Sequence, residues 1–378
     1  MKVDSIGKRV SFTGSIIDSH MHLGSWPKNG NKNDILHFDS CAVDTFTRSP
    51  LNVNVQGKPQ QDEVVKAIIS NLDSLVIDGK DELAGNKDLL SICDKNPKFY
   101  ALAACQPSKT EGNAVHINNL IQENPGKFIG LKFHPRSFMA QADSEVYRSY
   151  MFLAERFKLP CLFHCDINIK PDGKPADNIA TPESIHNLAR MFPDVPVIMG
   201  HMGAGNAKSH QNAIDELLKS IDERDAKLYV DISWVDWGND GLSNTNKPSI
   251  VKLIKELQKR NATDRILFGT DAPLGCFGES PAGGLDPKQA YEKTVSDLKT
   301  VIKENFQDQS DDLIDKIFYK NAESLYFNKD WATPVAQKVP KTPLIKIIGI
   351  VAAGLALIGL GGIIIDKFSS SSGDEKGK

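Results

Sequence analysis

The sequence is short of the features that would tie it to several large functional classes. Lysine and arginine number 45 against 48 aspartate and glutamate residues, a formal net charge of −3, and no long basic stripe breaks the balance. Nothing therefore draws the chain electrostatically toward nucleic acid. The six cysteines stand at 41, 93, 105, 161, 165 and 276, with no Cys-x-x-Cys pair and no dense disulfide spacing. Cys93, Cys105 and Cys161 lie in apolar surroundings, which points to reduced core thiols and a reducing compartment. The first twenty residues contain no unbroken apolar run and no small-residue cleavage site, so they do not read as a signal peptide. No glycine-rich dinucleotide fingerprint follows the first strand, and no Gly-x-Ser-x-Gly elbow occurs. A nicotinamide-dependent oxidoreductase and a serine hydrolase both lose their best support.

What remains is 378 residues of ordinary globular composition, 40% hydrophobic and 25% charged. That length suits one large α/β barrel or two smaller domains, with ample material for a core. One segment departs from the soluble pattern. Residues 344–365, LIKIIGIVAAGLALIGLGGIII, carry Lys346 as their only charge. As a helix rising ~1.5 Å per residue, they match the hydrocarbon thickness of a bilayer. A single C-terminal transmembrane helix is expected there, after a linker at 328–343 and before a polar tail at 366–378. Lysines are balanced on its two sides, so charge does not set orientation. The absence of a signal peptide places the large N-terminal part in the cytoplasm, tethered to the membrane by its C-terminus.

Along residues 1–327 a short apolar run, a turn and an amphipathic stretch alternate. Strands are expected at 15–22, 74–79, 99–105, 128–134, 160–166, 195–201, 227–233 and 265–271. Helices are expected near 60–72, 82–95, 112–124, 144–158, 182–191, 208–223, 247–260 and 287–305, with a further one at 311–319. Parallel strands need helical crossovers, and eight such units over this length suit a (β/α)8 barrel better than an open sheet. Residues 23–58, rich in Asn, Asp, Gly and Pro, read as a long loop after strand one that covers the active site.

Strand alternation then sorts the polar residues, because side chains two apart share a face. Asp18, His20 and His22 share one on the first strand, and Gly130, Lys132 and His134 share one on the fourth. His164, His201 and Asp271 end later strands, with Asp231 and Ser233 at the end of the seventh. Each stands at the C-terminal end of its apolar run, where barrel enzymes gather catalytic groups. A lone histidine is usually a hydrogen-bonded core residue. Four of the nine histidines at strand ends, with an aspartate on another strand, form a pattern that suits a divalent metal.

These segments, IIDSHMH, GLKFHP, LFHCD, IMGHMG and LFGTDAP, resemble the successive strand-end motifs of the amidohydrolase superfamily, in particular its amidohydrolase-related branch. The likeness runs from about Ser15 to Phe327. It implies that His20, His22, His164 and Asp271 bind a first metal, and that His201 binds a second or polarises substrate. Lys132 occupies a place similar to a lysine that is carbamylated in some binuclear members; the plainer alternative is a contact to an anionic substrate or a nearby acid. His134 is a candidate for metal or substrate, and Arg136 for a bidentate grip on a substrate carboxylate or a surface role. Zinc is the expected ion, manganese the alternative, in one or two copies.

The implied chemistry is attack by metal-activated water on an amide, lactone or ester of a small molecule, with Asp271 orienting the water and taking its proton and His201 at the carbonyl. The same residues serve a second reading, non-oxidative decarboxylation of a small carboxylic acid. A third reading is a non-catalytic barrel tethered at the membrane, which predicts decay of a ligand position; none has decayed. An oligomer is compatible with the sequence.

Overall fold

The computed structural model describes residues 14–27, 33–75, 82–107, 112–167, 177–204, 207–234, 246–274 and 286–329, all within the unit Met1–Ala332. In chain order the strands are β1 (Ser15–Pro27), β2 (Ile35–Phe38), β3 (Leu51–Val55), β4 (Lys58–Asn71), β5 (Phe99–Ala104), β6 (Phe128–Phe133), β7 (Cys161–Phe163), β8 (Pro196–Met199), β9 (Lys227–Asp231) and β10 (Ile266–Leu267). The helices are α1 (Ser40–Thr47), α2 (Glu82–Cys93), α3 (Gly112–Glu123), α4 (Arg148–Phe157), α5 (Pro182–Met191), α6 (Ala207–Glu223), α7 (Lys247–Lys259), α8 (Pro287–Phe306) and α9 (Ser310–Asp315).

Strands β1 and β4 to β10 pair in parallel, each with the next. Backbone hydrogen bonds from Ser19 N to Phe268 O, Asp271 N to His20 O and His22 N to Ala272 O bring the last strand back to the first. The sheet is thereby closed, in agreement with the expected barrel. Ile17, Ile68, Leu102, Ile129, Leu162, Ile198, Tyr229 and Leu267, one from each parallel strand, form a buried cluster stoppered by Ala322, Leu325 and Tyr326. Their sequence neighbours, such as Ile69, Phe163, Met199 and Val230, belong instead to the larger core cluster that includes the helices. The interior is packed, and residues one step beyond the ring reach the mouth.

Helix starts follow their caps. Thr181 accepts a hydrogen bond from Ser184 N ahead of Pro182, and Asp286 and Gln289 form a reciprocal capping box at α8.

Two expectations are corrected. The helix placed at 60–72 is the strand β4, and the strand placed at 74–79 begins in a single turn, Leu72–Ser74, with 76–81 outside the described residues. VVKAII is a run rich in β-branched residues, buried at Val64 and from Ala67 onward, as a parallel strand covered on both faces demands. Residues 23–58 are not one long loop. β1 continues to Pro27 and pairs antiparallel with β2, α1 follows, and β3 makes a hairpin with β4.

Among the described residues no helix is long and apolar enough to cross a membrane. The span expected at 344–365, residues 330–343 of the linker and the tail at 366–378 lie outside the described residues, as does Cys276.

Candidate metal centre

β1 delivers two imidazoles to one point by breaking its own alternation. Its pairing with β4 shifts register between Asp18 and Met21, so Ile17 lies in the inner ring while His20 and His22 face the mouth further along. Asp18 is parted from them by the same irregularity. It turns to the seam, accepting from His20 N, Thr270 N, Thr270 Oγ1 and the Tyr291 hydroxyl. The expectation that it shares a face with the two histidines is corrected; it holds the backbone of His20 and Thr270 instead. Complete burial pushes its carboxyl up to about 7.

His20 fits only because two neighbours lack side chains. A Cβ on Gly269 would come within 2.8 Å of His20 Cβ, and one on Gly200 within 3.3 Å of His20 Cε1. Two residues that face the centre, His201 at φ 60° and Asp271 at φ 63°, adopt the left-handed conformation that non-glycine residues rarely take, as does Trp234 beside them at 59°.

Asp271 Oδ1 lies 2.9 Å from His22 Nε2 and 3.2 Å from His20 Nε2. His20 Nδ1 donates to Asp231 Oδ2 at 2.9 Å, and His22 Nδ1 meets the Ser70 hydroxyl at 2.9 Å. Ser233 donates to Asp231 Oδ1 at 2.5 Å and so accepts from His201 Nδ1 at 2.8 Å, which leaves His201 Nε2 as a lone pair. His164 Nε2 faces Asp166 Oδ2 at 3.4 Å, and its Nδ1 stands 3.1 Å from His201 Nε2. The acceptor His201 Nε2 thus faces His164 Nδ1, beside two further imidazoles aimed at the Asp271 carboxylate.

Such an arrangement of imidazoles and a carboxylate suits a cation. Donors about 3 Å apart also suit one ion bonded at ~2.0–2.2 Å to nitrogen and oxygen. His20, His22 and Asp271 form one buried trio with metal-ligand spacing, and His20, His201 and Asp231 a second. In the second trio His20 Nδ1 is already used by Asp231, which makes Asp231 the partner that fixes the ring.

The charges agree. Burial opposes ionisation of Asp271, but the nearby imidazoles of His201 and His22 outweigh it and hold the carboxyl well below the usual range. Asp231 is held low in the same way, chiefly by His20. Burial pushes His22 down to about 4, and His134 and His201 well below the ordinary histidine value, so these rings are neutral lone-pair donors at neutral pH. Lys132, 1% exposed, donates to His20 Nε2 at 2.6 Å, and burial lowers its ammonium to about 8.

The sequence-derived candidates separate as follows. His20, His22, His164, His201, Asp271 and Lys132 converge. His134 stacks on His164 with ring centres 4.0 Å apart and accepts from Ser137, so it lines the wall. Arg136 is corrected: its guanidinium grips Asp166 through Nε and Nη2 at 2.5 and 2.6 Å and Asp177 at 3.1 and 3.3 Å, so its carboxylate partners are internal. Burial works against ionisation of Asp166, yet His164 and Arg136 hold its carboxyl far below the usual range. Ser70 and Asp166 were missed. Ser70 ends the strand taken for a helix; Asp166 carried a readable signal, two residues after His164 and so on its face.

A family model described as Amidohydrolase matches residues 86–327, well over half of the chain. The chain belongs to the amidohydrolase family. No curated protein matches it significantly. Among solved structures, this amidohydrolase is similar to one from Burkholderia multivorans with bound zinc, at 12% identity and TM-score 0.53, over 83% of this chain and 99% of that one. It is also similar to a probable 2-pyrone-4,6-dicarboxylic acid hydrolase from Acinetobacter baumannii with citric acid bound, at 11% identity and TM-score 0.51, over 82% and 98%. A 5-carboxyvanillate decarboxylase from Novosphingobium aromaticivorans, complexed with manganese and a nitrobenzoic acid, matches at 17% identity and TM-score 0.44, over 70% and 76%. At such identities the likeness is one of fold.

Proposed function

We propose that this amidohydrolase is a metal-dependent hydrolase that uses water to cleave an amide, lactone or ester of a small molecule. The observation that carries the reading is the meeting of His20 Nε2, His22 Nε2 and Asp271 Oδ1, buried and with metal-ligand spacing, at the barrel mouth. His20, His22 and Asp271 would hold the ion, with His164 and His201 beside it; zinc suits this donor set, and manganese is the alternative. A divalent ion bound there supplies Lewis acidity and lowers the pKa of water from 15.7 toward about 7.

The remaining work falls to side chains. Asp271 stays anionic, orients the attacking water and receives its proton; its weak basicity favours passing that proton on to the leaving group. His201, tied through Nδ1 to Ser233, offers Nε2 as an acceptor. That geometry suits proton acceptance or cation binding, rather than the carbonyl polarisation expected from sequence. Lys132 supplies positive charge at the floor, where an oxyanion forms. Trp234, with its ring centre 6.4 Å from that of His201, walls one side.

The test is an assay of the metal-loaded chain against panels of lactones, esters, amides and aromatic or unsaturated carboxylic acids, with released carbon dioxide measured alongside hydrolysis. Hydrolysis lost in Asp271→Ala supports the reading. Stoichiometric carbon dioxide without hydrolysis replaces it with decarboxylation, and inactivity on both panels with no bound metal replaces it with a binding scaffold.

We also propose that residues 344–365 anchor the enzyme to a membrane with the catalytic part on the cytoplasmic side. The apolar run supports it. Carbonate-resistant membrane association, lost on truncation after Lys341, is the expected result; a fully extractable parent chain overturns it.

A further inference from the structure

His164 is turned the opposite way from its neighbours. His20 and His22 offer Nε2 to Asp271 and His201 offers Nε2 to the centre, but His164 offers Nδ1, 3.1 Å from His201 Nε2. An imidazole can hold either edge inward, and its two tautomers differ little in energy unless a neighbour chooses between them. Here the neighbour is Asp166, whose Oδ2 stands 3.4 Å from His164 Nε2.

Asp166 is itself held from behind. Arg136 donates Nε to Asp166 Oδ2 at 2.5 Å and Nη2 to Oδ1 at 2.6 Å, the side-on fork that a guanidinium makes with a carboxylate and an ammonium does not. The same guanidinium reaches Asp177 Oδ2 at 3.1 Å through Nη1 and Oδ1 at 3.3 Å through Nη2. Asp177 in turn accepts from Ile179 N at 3.0 Å, and Asp166 N donates to Ala180 O at 3.0 Å. The Asp177 carboxylate is therefore fixed to the backbone as well as to Arg136, and the main chain of Asp166 is tied at Ala180.

We propose that Arg136 is a positioning residue: through Asp166 it locks the His164 ring with Nε2–H outward and the Nδ1 lone pair toward the metal centre. The assignment rests on the metal-centre reading above for its consequence, and on the hydrogen-bond geometry for the orientation itself. It explains why a cationic side chain near the mouth is closed to substrate: all of its forked contacts are spent on two internal carboxylates.

Asp166→Asn is a sharp probe. The single amide oxygen goes to the guanidinium, which has only donors, and the amide N–H group is left facing His164 Nε2. That reverses the demand on the ring and favours the Nδ1–H tautomer. The experiment records 15N spectra of histidine-labelled, metal-stripped full-length chain in detergent, and zinc affinity by competition with a chromophoric chelator. Each variant is read below its own melting transition. In the parent, His164 carries the proton on Nε2. In Asp166→Asn it moves off that tautomer and zinc binds about 10–100-fold more weakly. Arg136→Lys keeps the charge without the fork and falls part of the way; Asp177→Asn keeps the parent tautomer. Parent-like tautomer and affinity in both Asp166→Asn and Arg136→Lys would overturn the proposal, as would Asp177→Asn matching the loss in Asp166→Asn. A parent that binds neither zinc nor manganese sinks the metal-centre reading, and the tautomer then decides the positioning role alone.

Discussion

His22 Nε2 and Asp271 Oδ1 lie 2.9 Å apart across the seam of the barrel, although 249 residues separate them in sequence. The contact exists only when the last strand returns to the first. Backbone bonds from Asp271 N to His20 O and from His22 N to Ala272 O bracket it, so closing the sheet and assembling the donor set are one event. The left-handed backbone at Asp271 is the local cost of turning its carboxylate inward at that seam.

Metal content is the first consequence. The chain purified without chelator is expected to carry roughly one divalent ion, lost in His20→Ala and in Asp271→Ala because each removes a donor from the buried trio. Lys132→Ala is expected to retain the ion, since its ammonium competes for the His20 Nε2 lone pair rather than supplying a donor to the ion. Elemental analysis of the purified variants reads this directly. A second ion that disappears with Lys132→Ala would instead establish a carbamylated, bridged pair.

Asp231 is fully buried and governs two imidazoles. Its Oδ2 accepts from His20 Nδ1, and its Oδ1 accepts from Ser233, whose hydroxyl holds His201. Asp231→Ala is expected to weaken zinc binding about 10–100-fold while the ligands themselves remain in place. Chelator competition measures the loss. Unchanged affinity would show that Gly200, Gly269 and packing alone orient His20.

Much of this centre was legible from strand ends, for a physical reason. Buried parallel strands are apolar throughout, so His20, His22, His164, His201 and Asp271 stand out as polar residues at the ends of such runs. β4 was not legible. Lys66 and the exposed Lys58 to Gln61 give VVKAIISN a mixed look that imitates an amphipathic helix, and only its partners on both sides decide that it is a strand. The loss of Ser70 followed from that error. The role of Arg136 was illegible for another reason: Asp177 lies 41 positions away, and nothing local says that a guanidinium is already satisfied.

A buried ion pair ties the hairpin to the barrel's last large helix. Lys299 Nζ donates to Asp62 Oδ2 at 2.5 Å, with the two side chains 2% and 0% exposed. Removing one partner strands the other charge away from water. Asp62→Ala is expected to cost about 3–5 kcal/mol, whereas Asp62→Leu with Lys299→Met recovers most of it. Denaturant unfolding of the two variants checks the contrast. Equal losses in both would mean that packing around the pair, rather than its charge, holds α8 in place.

The outer edge of β3 carries the last prediction. Its outward N–H groups at Asn52 and Asn54, and that of Gln56 just past its end, donate in turn to Glu292 Oε1 at 2.8 Å, Ser296 Oγ at 2.9 Å and Thr300 Oγ1 at 3.2 Å. Two residues of strand advance ~6.6 Å and four residues of helix ~6.0 Å, so side chains spaced by four on α8 keep step with alternate amides on β3. An uncovered strand edge is a template for pairing with another chain. The triple variant Glu292→Ala, Ser296→Ala, Thr300→Ala is therefore expected to lose about 0.5–1.5 kcal/mol per capped amide and to self-associate as concentration rises. Light scattering and hydrogen exchange at the three amides report the two effects separately. Retained exchange protection without association would mean that the Asp62–Lys299 pair and the apolar contacts of α8 suffice to keep the edge closed.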